Sequence, residues 1–257
     1  MKPRVICVPG SVAPAGQRYE PLVRLAGSTA DLHLKDLEVY REAKPPAGYS
    51  IEEEVDAIDR FADAKGLDRF HLVAYSGGGF ISIAYAATRP QRVTSLAVFE
   101  PARIPGALTE EEREFFSGLD AKLRGLEGPE FMAEFVREQV KPGVEAAAPA
   151  GPISPEMQKR PAGIAALLRA FEQYQFDRRL LGRVTFPVYY AYGDLSHDEQ
   201  ALKAGILGRL VPDIRIQRFA GVHHFVPPDR IYTAPHVSGL VELWQRAEDS
   251  ARQTSHK

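Results

Sequence analysis

The chain has 257 residues, 44% of them hydrophobic and 26% charged, with a formal net charge of −2. That length suits one large α/β domain or a domain carrying an insertion, and the near-neutral charge argues against a nucleic-acid or polybasic membrane partner. No apolar run approaches the roughly 18 residues of a membrane span. The opening MKPRVICVPG enters a strand-like stretch with no signal-peptide pattern, so a cytoplasmic location is expected. The single Cys7 lies in that stretch and reads as a buried structural thiol.

Strand-like and helical runs alternate along the chain. Residues 4–8 read as a strand, followed by the loop PGSVAPAG and a helix over 19–26. Residues 31–37 read as a strand. Ser50 with Glu53 has the S-x-x-E spacing of a capping box, and Ile51, Val55, Ile58 and Ala62 mark the apolar face of the helix that follows. A strand over 70–75 leads into a helix over 78–88, and 93–99 is again strand-like. Over 102–182 the strands stop. That stretch is helical and polar, with a second capping box at Thr109 and Glu112 and a loop at AAAPAGPISP. Alternation resumes with VTFPVYYAYGD, a helix over 199–210, the strand IRIQRFAG and a final helix over 235–247.

Such alternation predicts an α/β fold with a mostly parallel, doubly wound sheet. Because the alternation picks up again after residue 182, the helical stretch reads as an insertion. The predicted core is 1–101 with 183–257, and the predicted helical cap is 102–182. No internal repeat or low-complexity tract is present.

The joint at AYSGGG, residues 74–79, carries the chemistry. In open α/β sheets, reactive groups collect at the carboxyl ends of strands, where Ser76 lies. A sharp strand-to-helix turn exposes such a hydroxyl, strains the backbone and requires small residues two positions either side, here Ala74 and Gly78. The N–H of Gly77 falls in the first helical turn, where donors are free and the dipole favours negative charge. An acyl-transfer nucleophile needs that arrangement. A phosphate loop fits poorly, since no Gly-Lys-Ser/Thr follows. A dinucleotide fingerprint would use Gly77, Gly79 and Glu100, but Ser82 stands where the third glycine belongs.

A nucleophilic serine needs a base, and FAGVHHFVPPDR near the C-terminus offers one. With block order, AYSGGG, the helical insertion and GVHHF together, the whole chain resembles the α/β-hydrolase family, in its serine-nucleophile branch with a helical cap. The family's terminal Gly-x-Gly-His-Phe pattern maps onto Gly221-Val222-His223-His224-Phe225, which implies His224 as base, with His223 in place of a glycine. The resemblance also implies a carboxylate three residues after a glycine in the loop following VYYAYG. Ser196 occupies that position and carries no charge. Some branches take the acid from the strand after the nucleophile strand, where LAVFEPARIPG puts Glu100. Asp194 and Asp198 remain alternatives. The second oxyanion donor comes, by the same resemblance, from the loop after the first strand: Ser11 N–H, paired with Gly77 N–H.

The expectation is a cofactor-free serine hydrolase acting on an ester, thioester or lactone of a small, partly apolar molecule, with Ser76, His224 and Glu100 as triad. No metal-ligand spacing and no cofactor motif is present. The same residues would serve C–C bond hydrolysis or acyl transfer, and the uncharged Ser196 leaves open a low-turnover ligand-binding protein on the same fold. The expected partner is a small-molecule substrate, with no nucleic acid or membrane; the oligomeric state is left open.

Overall fold

The structure is a computed structural model and describes residues 2–146 and 154–255, so most of the loop expected at AAAPAGPISP lies outside the described residues. Six strands alternate with helices: β1 (Arg4–Val8), α1 (Ala15–Ala26), β2 (Asp31–Leu34), α2 (Ile51–Ala64), β3 (Phe70–Tyr75), α3 (Ser76–Thr88) and β4 (Val93–Phe99). Among the described residues four helices follow without an intervening strand: α4 (Glu110–Leu123), α5 (Gly128–Arg137), α6 (Pro155–Gln158) and α7 (Arg160–Gln173). The chain then closes with β5 (Val188–Gly193), α8 (Glu199–Leu210), β6 (Ile214–Phe219), α9 (Pro228–Ile231) and α10 (Ala234–Ser255).

Every strand pair is parallel, in the order β2-β1-β3-β4-β5-β6. Successive side chains point to opposite faces of a strand, so a sheet covered on both sides has continuous apolar strands. FHLVAY and VTSLAVF in β3 and β4 are buried at every position. Ile6, Leu72, Leu96 and their same-face neighbours pack with α2, α3 and α8. Val5, Val73, Ala97 and the intervening positions pack with α1 and α10, whose Trp244 is wholly buried. Burial pushes the Cys7 thiol pKa up in that second layer, in keeping with a structural role.

Several element boundaries differ from those read in the sequence, at both helix and strand ends. Helix α1 starts at Ala15, not 19, because Asp36 accepts a hydrogen bond from the Ala15 N–H at 2.6 Å. That cap comes from 21 residues away, beyond the reach of a local pattern. Strand β2 stops at Leu34 because its sole neighbour β1 is ending, with Lys35 N–H donating to Cys7 C=O at 3.0 Å. Helix α3 begins at Ser76 itself, and α10 runs on to Ser255. Of the two predicted boxes, Thr109 and Glu112 cap reciprocally. At Ser50 the hydroxyl accepts from Glu53 N–H while the Glu53 carboxylate turns to Arg60.

Helices α4, α5 and α7 share an apolar cluster built on Phe116, Leu119, Phe131, Phe135 and Ile164. The start of α4 and the segment after α7 are fastened together. Arg178 grips the buried Glu112 with two bonds of 2.8 and 2.9 Å and also donates to the carbonyls of Ile104 and Pro105. Among the described residues no helix is long and apolar enough to cross a membrane. Removing one partner of such a buried pair leaves the other charge uncompensated. Arg178→Met should therefore lower stability by ~3 kcal/mol in urea unfolding. An unchanged midpoint would contradict the role given to this pair.

Candidate active site

Strand order reverses between β1 and β3, and ligands of open parallel sheets bind outside the carboxyl ends of the strands at such a point. The loop after β1 carries Ser11, and the joint after β3 carries Ser76. Ser76 has a left-handed backbone, φ +52°, a conformation that strains a non-glycine residue and aims its side chain away from the strand. The turn closes only because of what surrounds it. A Cβ on Gly78 would stand 2.2 Å from the Pro9 carbonyl oxygen, and one on Gly10 would stand 2.7 Å from the Tyr75 ring and 2.9 Å from the Ser76 Cβ. Glycine at both positions lets the two loops touch, so that the Ser11 nitrogen lies 3.8 Å from where a Cβ on Gly77 would be.

Ser76 Oγ donates to His224 Nε2 at 3.0 Å, and His224 Nδ1 donates to Glu100 Oε2 at 2.6 Å. An ionised carboxylate can only accept, so its position assigns the proton to Nδ1 and leaves Nε2 free to take one. All three groups are buried, Glu100 completely. Glu100 ends β4 and, like Ser76, has positive φ, +45°. Its second oxygen accepts from the Ser196 hydroxyl at 2.6 Å and from the Gly193 N–H at 2.7 Å.

The other sequence candidates lie elsewhere. Asp194 accepts from Gly221 N–H at 2.8 Å and so braces the loop that bears His224. Asp198 is exposed and pairs with Lys141 at 3.2 Å. His223 turns to its own loop, where Nδ1 accepts from Phe225 N–H at 3.2 Å. Ser196 holds the place where the resemblance implied an acid, and its hydroxyl supports the carboxylate that His224 meets. No local signal in the sequence announced that supporting role.

A second group that sequence reasoning missed holds the imidazole from behind. The Tyr75 ring stacks on His224 at 4.9 Å between centroids and 28° between planes, and its hydroxyl donates to the His224 carbonyl. The buried Arg18 guanidinium covers the Tyr75 ring at 3.5 Å. Burial holds the His224 pKa below the usual imidazole value, opposed by the hydrogen bond and charge of Glu100 and aided slightly by Lys203 and Arg18. Burial thus favours the neutral form of the imidazole.

Against Ser76 lies a small cavity of about 20 Å³, room for roughly one water molecule. Its apolar wall comes from the helices between β4 and β5, with Phe116, Phe135, Ile164, Leu167 and Phe171 among its members. Ser76, Gly77 and Ser11 form its floor. Among the described residues no group of three or more His, Cys, Asp or Glu is placed to hold a metal ion.

The model of the alpha/beta hydrolase fold matches residues 3–229. The chain belongs to the α/β-hydrolase family. Solved structures of this α/β hydrolase's fold include an alpha/beta hydrolase from Sphaerobacter thermophilus, with TM-score 0.66 and 22% identity over 95% of this chain and 93% of that one. A thermophilic esterase from Thermogutta terrifontis superposes with TM-score 0.70 at 17% identity, covering 96% and 91% of the two chains. A meta-cleavage product hydrolase from Pseudomonas fluorescens gives TM-score 0.63 at 15% identity, covering 95% and 91%. No curated protein matches the α/β hydrolase in sequence.

The charge on Glu100 raises the His224 pKa, so removing that charge must lower it. An NMR titration should place His224 of the wild type below about 6.5 and that of Glu100→Gln lower still. A midpoint that rises in Glu100→Gln would contradict the sign derived for this pair.

Proposed function

We propose that the protein is a cofactor-free serine hydrolase that opens an ester, thioester or lactone of a small, partly apolar substrate through an acyl-enzyme. The observation that carries this reading is the buried line from Ser76 Oγ through both ring nitrogens of His224 to Glu100, with bonds of 3.0 and 2.6 Å. Ser76 attacks the substrate carbonyl as His224 Nε2 takes its proton. The N–H groups of Ser11 and Gly77 receive the oxygen as it gains charge. His224 then returns the proton to the leaving group, and Glu100 stabilises the imidazolium in between. Water activated by the same imidazole releases the acid and restores Ser76.

In this reading 1–101 and 183–257 form the core and 102–182 the cap. On the same reading the cap helices move to admit a substrate, since α7 sets Leu167 and Phe171 directly over Gly77. The apolar wall suits an acyl group of low polarity. The esterase among the structural neighbours accords with this chemistry, although fold alone does not choose a reaction. A low-turnover binding role drew its interest from the uncharged Ser196. The contact between His224 and Glu100 takes that motive away, because the imidazole has its carboxylate from β4.

A fluorophosphonate probe should label the wild type and not Ser76→Ala. With short p-nitrophenyl esters, Glu100→Gln should lose on the order of 10³-fold or more in turnover, against less than tenfold for Asp194→Asn or Asp198→Asn. Unlabelled wild-type protein would overturn the hydrolase reading. A reversed order among the three acids would overturn the role of Glu100.

A further inference from the structure

Three polar side chains share the cavity with Ser76: Arg103, Gln139 and Glu199. They come from three separate elements. Arg103 lies three residues after Glu100 on the exit from β4. Gln139 follows α5, where its carbonyl accepts from His197 N–H at 3.0 Å and ties this stretch to the loop holding Ser196. Glu199 opens α8. All three are more than nine-tenths buried.

Two of them are left with hydrogen-bonding capacity unused. Arg103 Nη2 has no hydrogen-bond partner among the described residues; its nearest carboxylates, Asp120 and Glu172, both stand at 3.8 Å, and its guanidinium rests over the Phe116 ring at 4.0 Å. Glu199 Oε1 accepts from Lys203 and from Gln200, each at 3.2 Å, while Oε2 is buried and unpartnered. A buried donor or acceptor without a partner costs about 1–3 kcal/mol. Here a lone donor and a lone acceptor belong to two residues lining one cavity, most of whose other members are apolar.

The charges decide what kind of group could satisfy both. Of the charged groups only Arg103 and Glu199 line the cavity; Lys203 pairs with Glu199 at 3.2 Å from behind, and the partly exposed Asp120 and Glu172 flank Arg103 from outside the lining. An added anion would meet the unpartnered Glu199 oxygen, and an added cation would be pressed against the Arg103 guanidinium. A neutral group that both accepts and donates suffers neither penalty. We infer that the cavity selects a substrate whose acyl part ends in a neutral hydrogen-bonding group, a carboxamide or a hydroxyl, that accepts from Arg103 and donates to Glu199. This deepens the hydrolase reading and rests on it, since the acyl group is the part that lies between Ser76 and these residues.

Specificity of this kind is strong because the analogue lacking the polar group leaves the buried partners unmet. Binding to Ser76→Ala separates the inference from turnover. Dissociation constants would be measured by calorimetry for methyl butanoate, methyl succinamate, methyl 3-hydroxybutanoate and monomethyl succinate. Methyl succinamate or methyl 3-hydroxybutanoate should bind about tenfold or more tighter than methyl butanoate and than the anionic monomethyl succinate. Adding Arg103→Met, or in a second variant Glu199→Gln, should bring that preference to within about twofold. Tightest binding of methyl butanoate or of monomethyl succinate would overturn the inference, as would a preference that survives both substitutions. Fluorophosphonate labelling of the wild-type chain reports separately on Ser76, so a failed nucleophile and a failed specificity are told apart.

Discussion

A carboxylate with no exposure to solvent is the constraint on which the site depends. Burying an ionised group is costly unless its oxygens are occupied, and Glu100 has both occupied. One oxygen takes the His224 Nδ1–H. The other takes the Ser196 hydroxyl and the Gly193 N–H. The arrangement links three strand ends: β4 supplies the acid, β5 and its loop satisfy it, and the loop after β6 brings the imidazole. Loss of the Ser196 hydroxyl would weaken this site without removing any group that touches substrate.

The same edge of the sheet concentrates strain and close approach. Ser76 and Glu100, at the ends of adjacent strands, both have left-handed backbone. The surrounding structure holds them there: Ala102 N–H donates to the Ser76 carbonyl at 2.9 Å, and Lys203 donates to the carbonyls of Pro101 and Ala102. Behind the imidazole, the stack of Arg18 on Tyr75 on His224 leaves the ring little room to turn. The hydroxyl, imidazole and carboxylate thus meet from positions far apart in sequence because rigid elements fix each of them.

Much of this was legible in the residues, for identifiable reasons. The continuous apolar runs of β3 and β4 required a sheet covered on both faces, and small residues around Ser76 announced a turn where chains touch. Glu100 entered through the resemblance as one of three candidate carboxylates, and the structure brings it, rather than Asp194 or Asp198, onto His224 Nδ1. What stayed hidden depends on distant contacts. The start of α1 rests on Asp36, and the end of β2 on where β1 stops. The supporting role of Ser196 depends on a carboxylate 96 positions away, and that of Arg18 on a ring brought over by β3. The polar corner formed by Arg103, Gln139 and Glu199 likewise exists only once three elements converge.

The most direct measurement is a crystal structure of the protein carrying a fluorophosphonate adduct. The account predicts phosphorus bonded to Ser76 Oγ, the phosphoryl oxygen between the N–H groups of Ser11 and Gly77, and Glu100 still on His224 Nδ1. An adduct on another residue, or a different carboxylate on that nitrogen, would contradict it.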